Sequence, residues 1–178
     1  MAFFRNKKIR GITYDFAHLE PITFQVADQG QDFHVQVEYS CHVFTEKFDP
    51  EAHTPDLRYN HPGEQQERAF CFDRYEQSKL LPGLLAGLRG YSVYDSDRAT
   101  YFVVKGIGNA PNVQTYICFF AAVRARKQGV DVLLKVRSAY SKDRMVRTAR
   151  PIRFPALIRS VANGERVQFG PQVQIKRL

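Results

Sequence analysis

Residues 113–143 contain two long, strongly apolar stretches separated by a short basic turn. The first stretch, 113–124, is rich in Tyr, Ile, Phe and Val, and the second, 130–140, alternates apolar and polar residues. Alternation with a period of two and enrichment in β-branched and aromatic residues are typical of strands. The turn, Arg126-Lys127-Gln128-Gly129, has the composition of a short hairpin loop. We therefore predict a β-hairpin here, at the centre of a sheet.

Strict alternation in the second stretch predicts which of its side chains share a face of the sheet. One face is expected to carry Val130, Val132, Leu134, Val136 and Ser138. The other face is expected to carry Asp131, Leu133, Lys135, Arg137 and Ala139. The polar residues that the hairpin presents to solvent are predicted to form the working surface of the protein, namely Arg124, Lys135, Arg137, Ser138 and Tyr140.

Around this hairpin the chain predicts a single domain, because 178 residues are enough to bury one sizeable core. The predicted fold class is α+β: an antiparallel four-stranded meander preceded by a helix, with an N-terminal β-hairpin and a C-terminal helix. The expected segments are an N-terminal arm and hairpin (1–48), a long loop (49–70), the helix plus the sheet (71–143), and a basic tail with a helix and an edge strand (144–178).

Local signals predict where the helices begin and end. Asp73 is expected to cap the first helix by accepting its orphan amide hydrogens. Pro82 is expected to kink that helix or to split it. The second helix is expected over residues 154–162, with Asn163-Gly164 as its stop. Residues 167–175 alternate enough to predict an edge strand.

Positive charge is concentrated in the C-terminal third of the chain. Residues 122–178 contain 14 Lys and Arg against 3 Asp and Glu, whereas residues 1–121 contain 12 against 15. A one-sided basic region favours a polyanionic partner, most often nucleic acid. The simpler alternatives are a solubilising surface and a patch that complements an acidic protein. The predicted nucleic-acid-binding residues are Lys105, Arg124, Arg126, Lys127, Lys135, Lys142, Arg144 and Arg147.

Cysteine usage and hydropathy indicate where the protein is located. The cysteines, Cys41, Cys71 and Cys118, are widely spaced and odd in number, which suits reduced thiols and predicts a cytoplasmic protein. No stretch approaches the roughly 18 apolar residues of a membrane-spanning helix. The N-terminus lacks the apolar run of a secretory signal. We therefore expect no membrane partner.

Residues of metal-binding type occur between residues 41 and 71. A zinc set of Cys41, His53, His61 and Cys71 would explain how a Pro-rich loop stays ordered. The closely spaced ligand pairs of structural zinc sites are missing, which favours two core cysteines and surface histidines, and no cofactor is predicted. The adjacent Cys41 and His42 are expected to point to opposite faces of a strand, which would prevent them from acting as nucleophile and base.

A candidate catalytic group lies at the end of the central hairpin. Metal-independent RNA cleavage needs a base for the 2′-hydroxyl, a cation for the phosphate and an acid for the leaving oxygen. Arg137 is predicted to stabilise the phosphate, and Ser138 and Tyr140 to orient it or to donate a proton. His42 is the predicted base. The simpler alternative is that these are solvated charges and strand-end residues of a sheet face.

Residues 72–143 resemble the barnase–EndoU–colicin–RelE group of small ribonuclease folds. The resemblance rests on a helix followed by four antiparallel strands that end in V-x-S-A-Y, at residues 136–140. It implies ribonuclease activity of the kind found in toxins and phage-borne effectors. Members commonly place a His or Lys base on the helix or first strand. This chain has no His after His61, so His42 or a lysine would supply the base.

A second similarity covers more of the chain. The segments YSCHVFT (39–45), FDRYEQSKLLP (72–82) and RSAY (137–140) are similar to short bacterial proteins of mobile elements, a similarity that implies no activity. The leading hypothesis is a basic RNA-binding domain with endoribonuclease activity, of toxin or antiphage-defence type. The alternative is a non-catalytic adaptor that binds nucleic acid or an acidic protein. The sequence predicts no oligomeric state.

Overall fold

The computed structural model describes residues 3–96, 100–107, 114–142 and 147–175, which form many short strands and few helices. In chain order the strands are β1 (Lys7–Ile9), β2 (Ile12–Tyr14), β3 (Ile22–Asp28), β4 (Gln31–Tyr39), β5 (Thr45–Lys47), β6 (Arg58–Tyr59), β7 (Arg68–Phe70), β8 (Ser92–Asp95), β9 (Thr100–Ile107), β10 (Gln114–Arg124), β11 (Val132–Lys142), β12 (Arg147–Ala149), β13 (Pro151–Arg153) and β14 (Val173–Ile175). The α-helices are α1 (Phe72–Ser78), α2 (Leu81–Ala86) and α3 (Phe154–Asn163). Single 3-10 turns are formed by Ala17–Leu19, Cys41–Val43, Pro55–Leu57 and Gly87–Gly90.

The main sheet of the described residues has seven strands in the spatial order β13-β8-β9-β10-β11-β4-β3. The predicted central hairpin is confirmed: β10 and β11 pair antiparallel from Thr115–Lys142 to Arg124–Val132 and have neighbours on both sides. All pairs are antiparallel except β11 with β4, which are parallel. The sheet is therefore mixed, and its longest strands lie in the middle.

The predicted fold class, a helix-preceded four-stranded α+β meander, is wrong. The N-terminal hairpin of β3 and β4 is part of the same sheet, because β4 pairs in parallel with β11 from Val35–Val132 to Tyr39–Val136. At the other edge β13 adds a strand to β8. Without this pairing, the backbone groups of β11 would face solvent along a free edge, and the apolar face of the β3–β4 hairpin would be uncovered. Local periodicity carries no information about which edge a hairpin joins.

The inner face of the sheet is covered by α3. Its residues Phe154, Leu157 and Ile158 are fully buried in the main core, against β3, β4, β10 and β11. Pro155 occupies the first turn, where no amide hydrogen is required. The helix ends at Gly164, whose φ of 71° is in the left-handed region that glycine favours. The predicted helix and its glycine stop are confirmed.

The opposite face, which we call the outer face, has a smaller core of its own. Phe102 and Ile117 are buried there with Ala149 of β12 and Ile175 of β14, and these two strands pair as a separate two-stranded sheet. The predicted edge strand over 167–175 is wrong in extent and place. Only β14 is a strand, and it pairs with β12 because Ala149 and Ile175 together cover the apolar side chains of the outer face.

A β-bulge at Arg137 decides which side chains of β11 share a face. The residues that pair with β10 pass from Val136 directly to Ser138, which leaves Arg137 as the extra residue. Beyond it Ala139 joins Val136 in the main core, and Ser138 lies on the outer face with Lys135. The predicted faces are therefore wrong from Ser138 onward, because one extra residue reverses a period of two.

The segment predicted as a long loop contains β6 and β7, which pair with β5 in a three-stranded sheet. An aromatic cluster beneath it orders the segment. Phe44 lies 4.3 Å from Phe16 and 4.9 Å from Tyr59 between ring centroids, and Phe70 is buried beside them. These rings come from segments far apart in the chain, so no local pattern predicts the sheet.

The first helical segment differs from prediction at its start. Cys71 occupies the cap position of α1 and makes no side-chain cap, and its amide donates to Phe44 O at 3.0 Å. Asp73 lies inside the first turn, so its predicted capping role is wrong. The split at Pro82 is confirmed, because that residue lies in the first turn of a separate helix, α2. Among the described residues, no helix is both long and apolar enough to cross a bilayer.

Candidate functional site

A row of aromatic side chains crosses the outer face from β8 to β11. Tyr94 stacks on Phe102 with 5.5 Å between ring centroids, and Phe102 lies 5.7 Å from Phe119. Phe119 in turn stacks on Tyr140 at 5.9 Å. Tyr94 and Phe102 are direct cross-strand partners, as are Phe102 and Phe119, which explains the contacts. Phe102 is buried and the others are partly exposed; we call these residues the aromatic row.

Basic side chains lie on and beside the aromatic row. The guanidinium of Arg147 is 5.2 Å from the centroid of the Phe102 ring, and that of Arg74 is 5.4 Å from the Tyr140 ring. The ammonium of Lys142 is 5.5 Å from the same tyrosine ring. Within the described part of the chain, no carboxylate lies within 4.0 Å of the basic groups of this set, which we call the cationic rim: Arg74, Lys135, Lys142 and Arg147. Arg137 is exposed at the bulge and has no partner on β10.

The predicted nucleic-acid-binding residues divide between the two faces of the sheet. Lys135, Lys142 and Arg147 belong to the cationic rim, and Lys127 donates to Gln36 Oε1 at 3.2 Å on the same face. These residues are brought together by the central strands. Four of the predicted nucleic-acid-binding residues therefore lie on the outer face of the sheet.

The other predicted residues lie elsewhere. Lys105 pairs with Tyr116, a residue of the main core, so its side chain leaves the sheet on the inner side. The guanidinium of Arg124 lies beside Gly164 at the end of α3. Arg126 lies in the hairpin turn, and Arg144 lies outside the described residues. Lys105 and Arg124 therefore do not share the outer face with the cationic rim, since the twofold alternation of each strand sends neighbouring side chains to opposite faces. Their contact with nucleic acid stays a prediction.

The predicted catalytic residues are only partly brought together. Arg137, Ser138 and Tyr140 are adjacent on the bulged part of β11. His42 lies in the Cys41–Val43 turn, and its main-chain carbonyl accepts a hydrogen bond from Arg74 Nη1 at 3.4 Å. Arg74 therefore contacts both the Tyr140 ring and the His42 main chain. The sequence reasoning missed Arg74, because an isolated basic residue on a helix gives no signal of the strand it faces.

A second cluster is formed by Cys41, His42 and Glu64. Cys41 and His42 were expected on a strand, but β4 ends at Tyr39 and a 3-10 turn follows. Cys41 and His42 therefore do not point to opposite faces, and both reach the carboxylate of Glu64. Cys41 Sγ lies 3.4 Å from Glu64 Oε2, and His42 Nε2 contacts the same oxygen. One ligand atom of each residue lies within 4.8 Å of the others.

The turn that carries Cys41 and His42 is held from several sides. Ser40 Oγ accepts from the His42 amide at 3.2 Å, and Thr45 Oγ1 donates to Cys41 O at 2.7 Å. The buried guanidinium of Arg68 donates to Thr45 Oγ1 at 3.1 Å and to Thr45 O at 3.0 Å. Three of these four bonds involve main-chain atoms of residues 41–45, so the side chains of Cys41 and His42 extend from a rigid backbone.

Burial and hydrogen bonding set the protonation of the cluster. Burial and then the Glu64 hydrogen bond raise the pKa of the Cys41 thiol to about 11, so the thiol is neutral. Burial alone would raise the pKa of Glu64, but hydrogen bonds from His42 and Cys41 outweigh it, and the pKa is lowered. Burial lowers the pKa of Arg68, and the nearby Cys41 and Glu64 oppose this effect.

A cleft of about 250 Å³ opens beside the cluster and is lined by Cys41, Glu64, Phe3 and His61 among others. It continues into a second depression of about 520 Å³ between the N-terminal arm and residues 59–62. The cluster is thus partly accessible to solvent. Side-chain exposure of 35% for His42 and 26% for Glu64 agrees with this position.

The alternative zinc set of Cys41, His53, His61 and Cys71, which the spacing of the sequence disfavoured, is not assembled among the described residues. His53 Nε2 contacts Glu46 Oε1 at 3.2 Å, and its Nδ1 accepts from the Asp49 amide. His61 Nδ1 contacts Pro62 O at 3.0 Å, and Cys71 lies at the start of α1. Only Cys41 of the predicted set belongs to a cluster of ligand atoms in the described residues. Glu64 was missed because its partners are 22 and 23 residues away, with no recurring spacing.

These features define a small basic protein built on a mixed seven-stranded sheet in the described residues, with an aromatic, cation-lined outer face. The chain belongs to the YjaZ family, whose profile matches residues 6–162. Searches of curated proteins and of solved structures found no match. The family description names no activity, and the ribonuclease resemblance of residues 72–143 stays a prediction.

Proposed function

We propose that the outer face of the sheet binds single-stranded nucleic acid, with RNA as the favoured ligand. The observation that carries this proposal is the aromatic row bordered by the cationic rim, whose basic groups have no carboxylate partner among the described residues. Partly exposed rings on a sheet offer stacking surfaces for unpaired bases, and basic side chains beside them neutralise the phosphates. RNA is favoured over DNA by the resemblance to small ribonuclease folds.

The geometry suits an unpaired strand better than a duplex. Phe119 and Tyr140 are partly exposed neighbours on adjacent strands, and a base stacked on either ring would place its phosphate near Lys142 or Arg74. The bases of a duplex are stacked on one another and are not available to such rings. The free cysteines support a cytoplasmic setting, where RNA is present.

Replacement of Tyr140 by Ala tests the proposal. Loss of one stacking ring is expected to weaken binding of a fluorescently labelled single-stranded RNA pool by about 1 to 3 kcal/mol, roughly 5- to 150-fold. Fluorescence anisotropy at fixed salt measures the effect, and the same titration with single-stranded DNA of matched sequence tests the preference for RNA.

Phe169 provides the matched control. It also carries a guanidinium over its ring, that of Arg150 at 4.7 Å, but it stacks on Tyr101 on the inner side. Phe169→Ala should leave the affinity within about twofold of wild type. Equal losses in the two variants, or no binding by the wild-type protein, would contradict the proposal. Co-purification of an acidic protein without RNA binding would favour the adaptor alternative instead.

Metal-independent RNA cleavage is the second candidate function. It is favoured by the contact of Arg74 with both Tyr140 and the main chain of His42, which places the predicted base segment beside the strand that holds Arg137. Incubation of an RNA pool with the protein in EDTA should then yield products. Arg137→Ala should abolish cleavage while it weakens binding only modestly, because that guanidinium would act on the transition-state phosphate. Unchanged cleavage in that variant would exclude Arg137 from the role.

A further inference from the structure

We propose that Cys41, His42 and Glu64 form a binding site for one zinc ion, with a fourth coordination position open to the adjacent cleft. The site uses none of the aromatic row and is independent of the proposed RNA-binding surface, but a His42 that binds zinc would not be the base of metal-independent cleavage. It is carried by the convergence of a sulfur, an imidazole nitrogen and a carboxylate oxygen within 4.8 Å of one another. These residues come from two segments that the tertiary structure brings together.

The donor set matches the chemistry of zinc. Zn²⁺ accepts thiolate, imidazole and carboxylate ligands in tetrahedral geometry, at about 2.3 Å from sulfur and about 2.0 to 2.2 Å from nitrogen or oxygen. Those bond lengths place two ligands of a tetrahedron about 3.3 to 3.8 Å apart. The separation of 3.4 Å between Cys41 Sγ and Glu64 Oε2 lies in this range. Purely oxygen-binding cations such as Mg²⁺ would not use the thiol.

A thiol nucleophile is the competing explanation, and the contacts disfavour it. In a nucleophile–base pair the histidine ring bonds to the sulfur. Here the ring of His42 contacts Glu64, and no hydrogen bond in the described residues joins it to Cys41. Cys41 is also only 3% exposed, so its sulfur lacks the solvent access of a reactive cysteine. A bound divalent cation would release the thiol proton to solvent and bind the resulting thiolate.

The surroundings of the cluster suit a site with three protein ligands. The backbone of the Cys41–Val43 turn is fixed by Ser40, Thr45 and Arg74. The His42 ring and the Glu64 carboxylate contact each other directly, so these two side chains would move apart to admit the ion. The cleft lined by Phe3 and His61 reaches the remaining side, where water or a ligand would complete the coordination. Binding at Glu64 would also fasten the segment between β6 and β7 to the end of β4.

Cobalt substitution tests the site on the full chain after treatment with a chelator. Wild-type protein should take up one equivalent of Co²⁺ and develop a near-ultraviolet thiolate-to-cobalt charge-transfer band. Added Zn²⁺ should then displace the Co²⁺ and abolish the band. Cys41→Ser should remove the band. Glu64→Gln should weaken Zn²⁺ binding at least about tenfold in a competition titration, since a neutral amide oxygen is a poorer ligand. Circular dichroism reports whether each variant is folded.

Matched controls come from residues outside the cluster. Cys71→Ser and His53→Gln change the same residue types and should leave both the band and the zinc affinity unchanged. If Cys41→Ser does not fold, the zinc affinity of Glu64→Gln tests the site instead, because Glu64 is partly exposed and its replacement should not prevent folding. Absence of metal uptake by the wild type, a band that persists in Cys41→Ser, or loss of the band in Cys71→Ser would overturn the proposal.

Discussion

At the scale of single residues, His18 links stability to pH. Its Nε2 lies 2.8 Å from Ser78 Oγ in a partly buried position between the Ala17–Leu19 turn and α1. Burial lowers the pKa of His18 below its ordinary value of 6.5, although the nearby Asp15 and Glu76 oppose this effect and Lys79 reinforces it. The neutral imidazole is therefore the form that suits the folded state.

The pH dependence of unfolding should show this effect. Below about pH 6.5 the unfolded chain binds a proton at His18 more readily than the folded chain, so stability is present at higher pH and lost as the pH falls. The free energy of unfolding in urea should decrease from about pH 7 to about pH 5, and His18→Gln should decrease less. At about pH 8, where His18 is neutral in both states, the difference in free energy of unfolding between wild type and His18→Gln measures only the loss of the His18–Ser78 contact. Parallel pH profiles of both proteins would contradict the assignment.

The bulge at Arg137 is the residue that most changes the candidate surface. Without it Ser138 and Tyr140 would point into the main core, and Ala139 would lie on the outer face. Both arrangements satisfy the strand pattern of the sequence equally well. The choice depends on packing, because Val136 and Ala139 fit together against the inner core only when one residue is left unpaired.

At the scale of elements, two glycines in helical segments have opposite roles. Gly164 ends α3 with φ of 71°, whereas Gly83 lies inside α2 without a positive φ and has open space where the Cβ of another residue would lie. An L-residue is strained in the left-handed region, and alanine is the better residue inside a helix. The same substitution should therefore have opposite effects at the two positions.

Thermal and urea unfolding of the two alanine variants check this prediction. Gly164→Ala should lower the free energy of unfolding by about 1 kcal/mol, because it forces Ala into a left-handed conformation. Gly83→Ala should raise it by up to about 1 kcal/mol, because it reduces the entropy of the unfolded chain and favours the helix. Destabilisation by both substitutions to the same extent would show that the end of α3 is not fixed by Gly164.

At the scale of the whole molecule, the net charge of +8 is less important than its distribution. Part of the basic excess is neutralised: Arg150 pairs with Asp95 at 2.7 Å, and Arg159 with Asp28 at 3.0 Å. Lys142 lies on the outer face over the Tyr140 ring, without a carboxylate within 4.0 Å among the described residues. The field that would attract a polyanion is thus set by the cationic rim.

If the outer face binds RNA as we propose, the salt dependence of that binding measures the contribution of the cationic rim. On single strands each neutralised phosphate contributes about −0.7 to the slope of log affinity against log salt. Lys142→Gln should therefore reduce the magnitude of the slope by about 0.7. Arg124→Gln removes the same charge on the α3 side of the sheet and should leave the slope unchanged. Equal reductions in both variants would show that binding follows net charge and not the outer face.

Sequence patterns predicted the elements whose signals are local. The β10–β11 hairpin follows from alternation around Gly129, the end of α3 from Gly164, and the split between α1 and α2 from Pro82. The cap at Asp73 failed because the start of α1 is set by the hydrogen bond between the Cys71 amide and Phe44 O, a contact across the fold. Candidate residues on the central strands were predicted, whereas Arg74 and Glu64 were not.

The amino-acid sequence by itself determined the central hairpin, the C-terminal helix and the basic character of the last third of the chain. Those features depend on interactions between residues that are close in the chain. Tertiary structure alone decided the parallel pairing of β4 with β11, the bulge at Arg137 and the meeting of Cys41 and His42 with Glu64. Each of these arises because strand edges and side chains that are far apart in the sequence form hydrogen bonds with one another and bury one another's apolar surface. The periodicity of a short segment does not predict which distant segment it will contact.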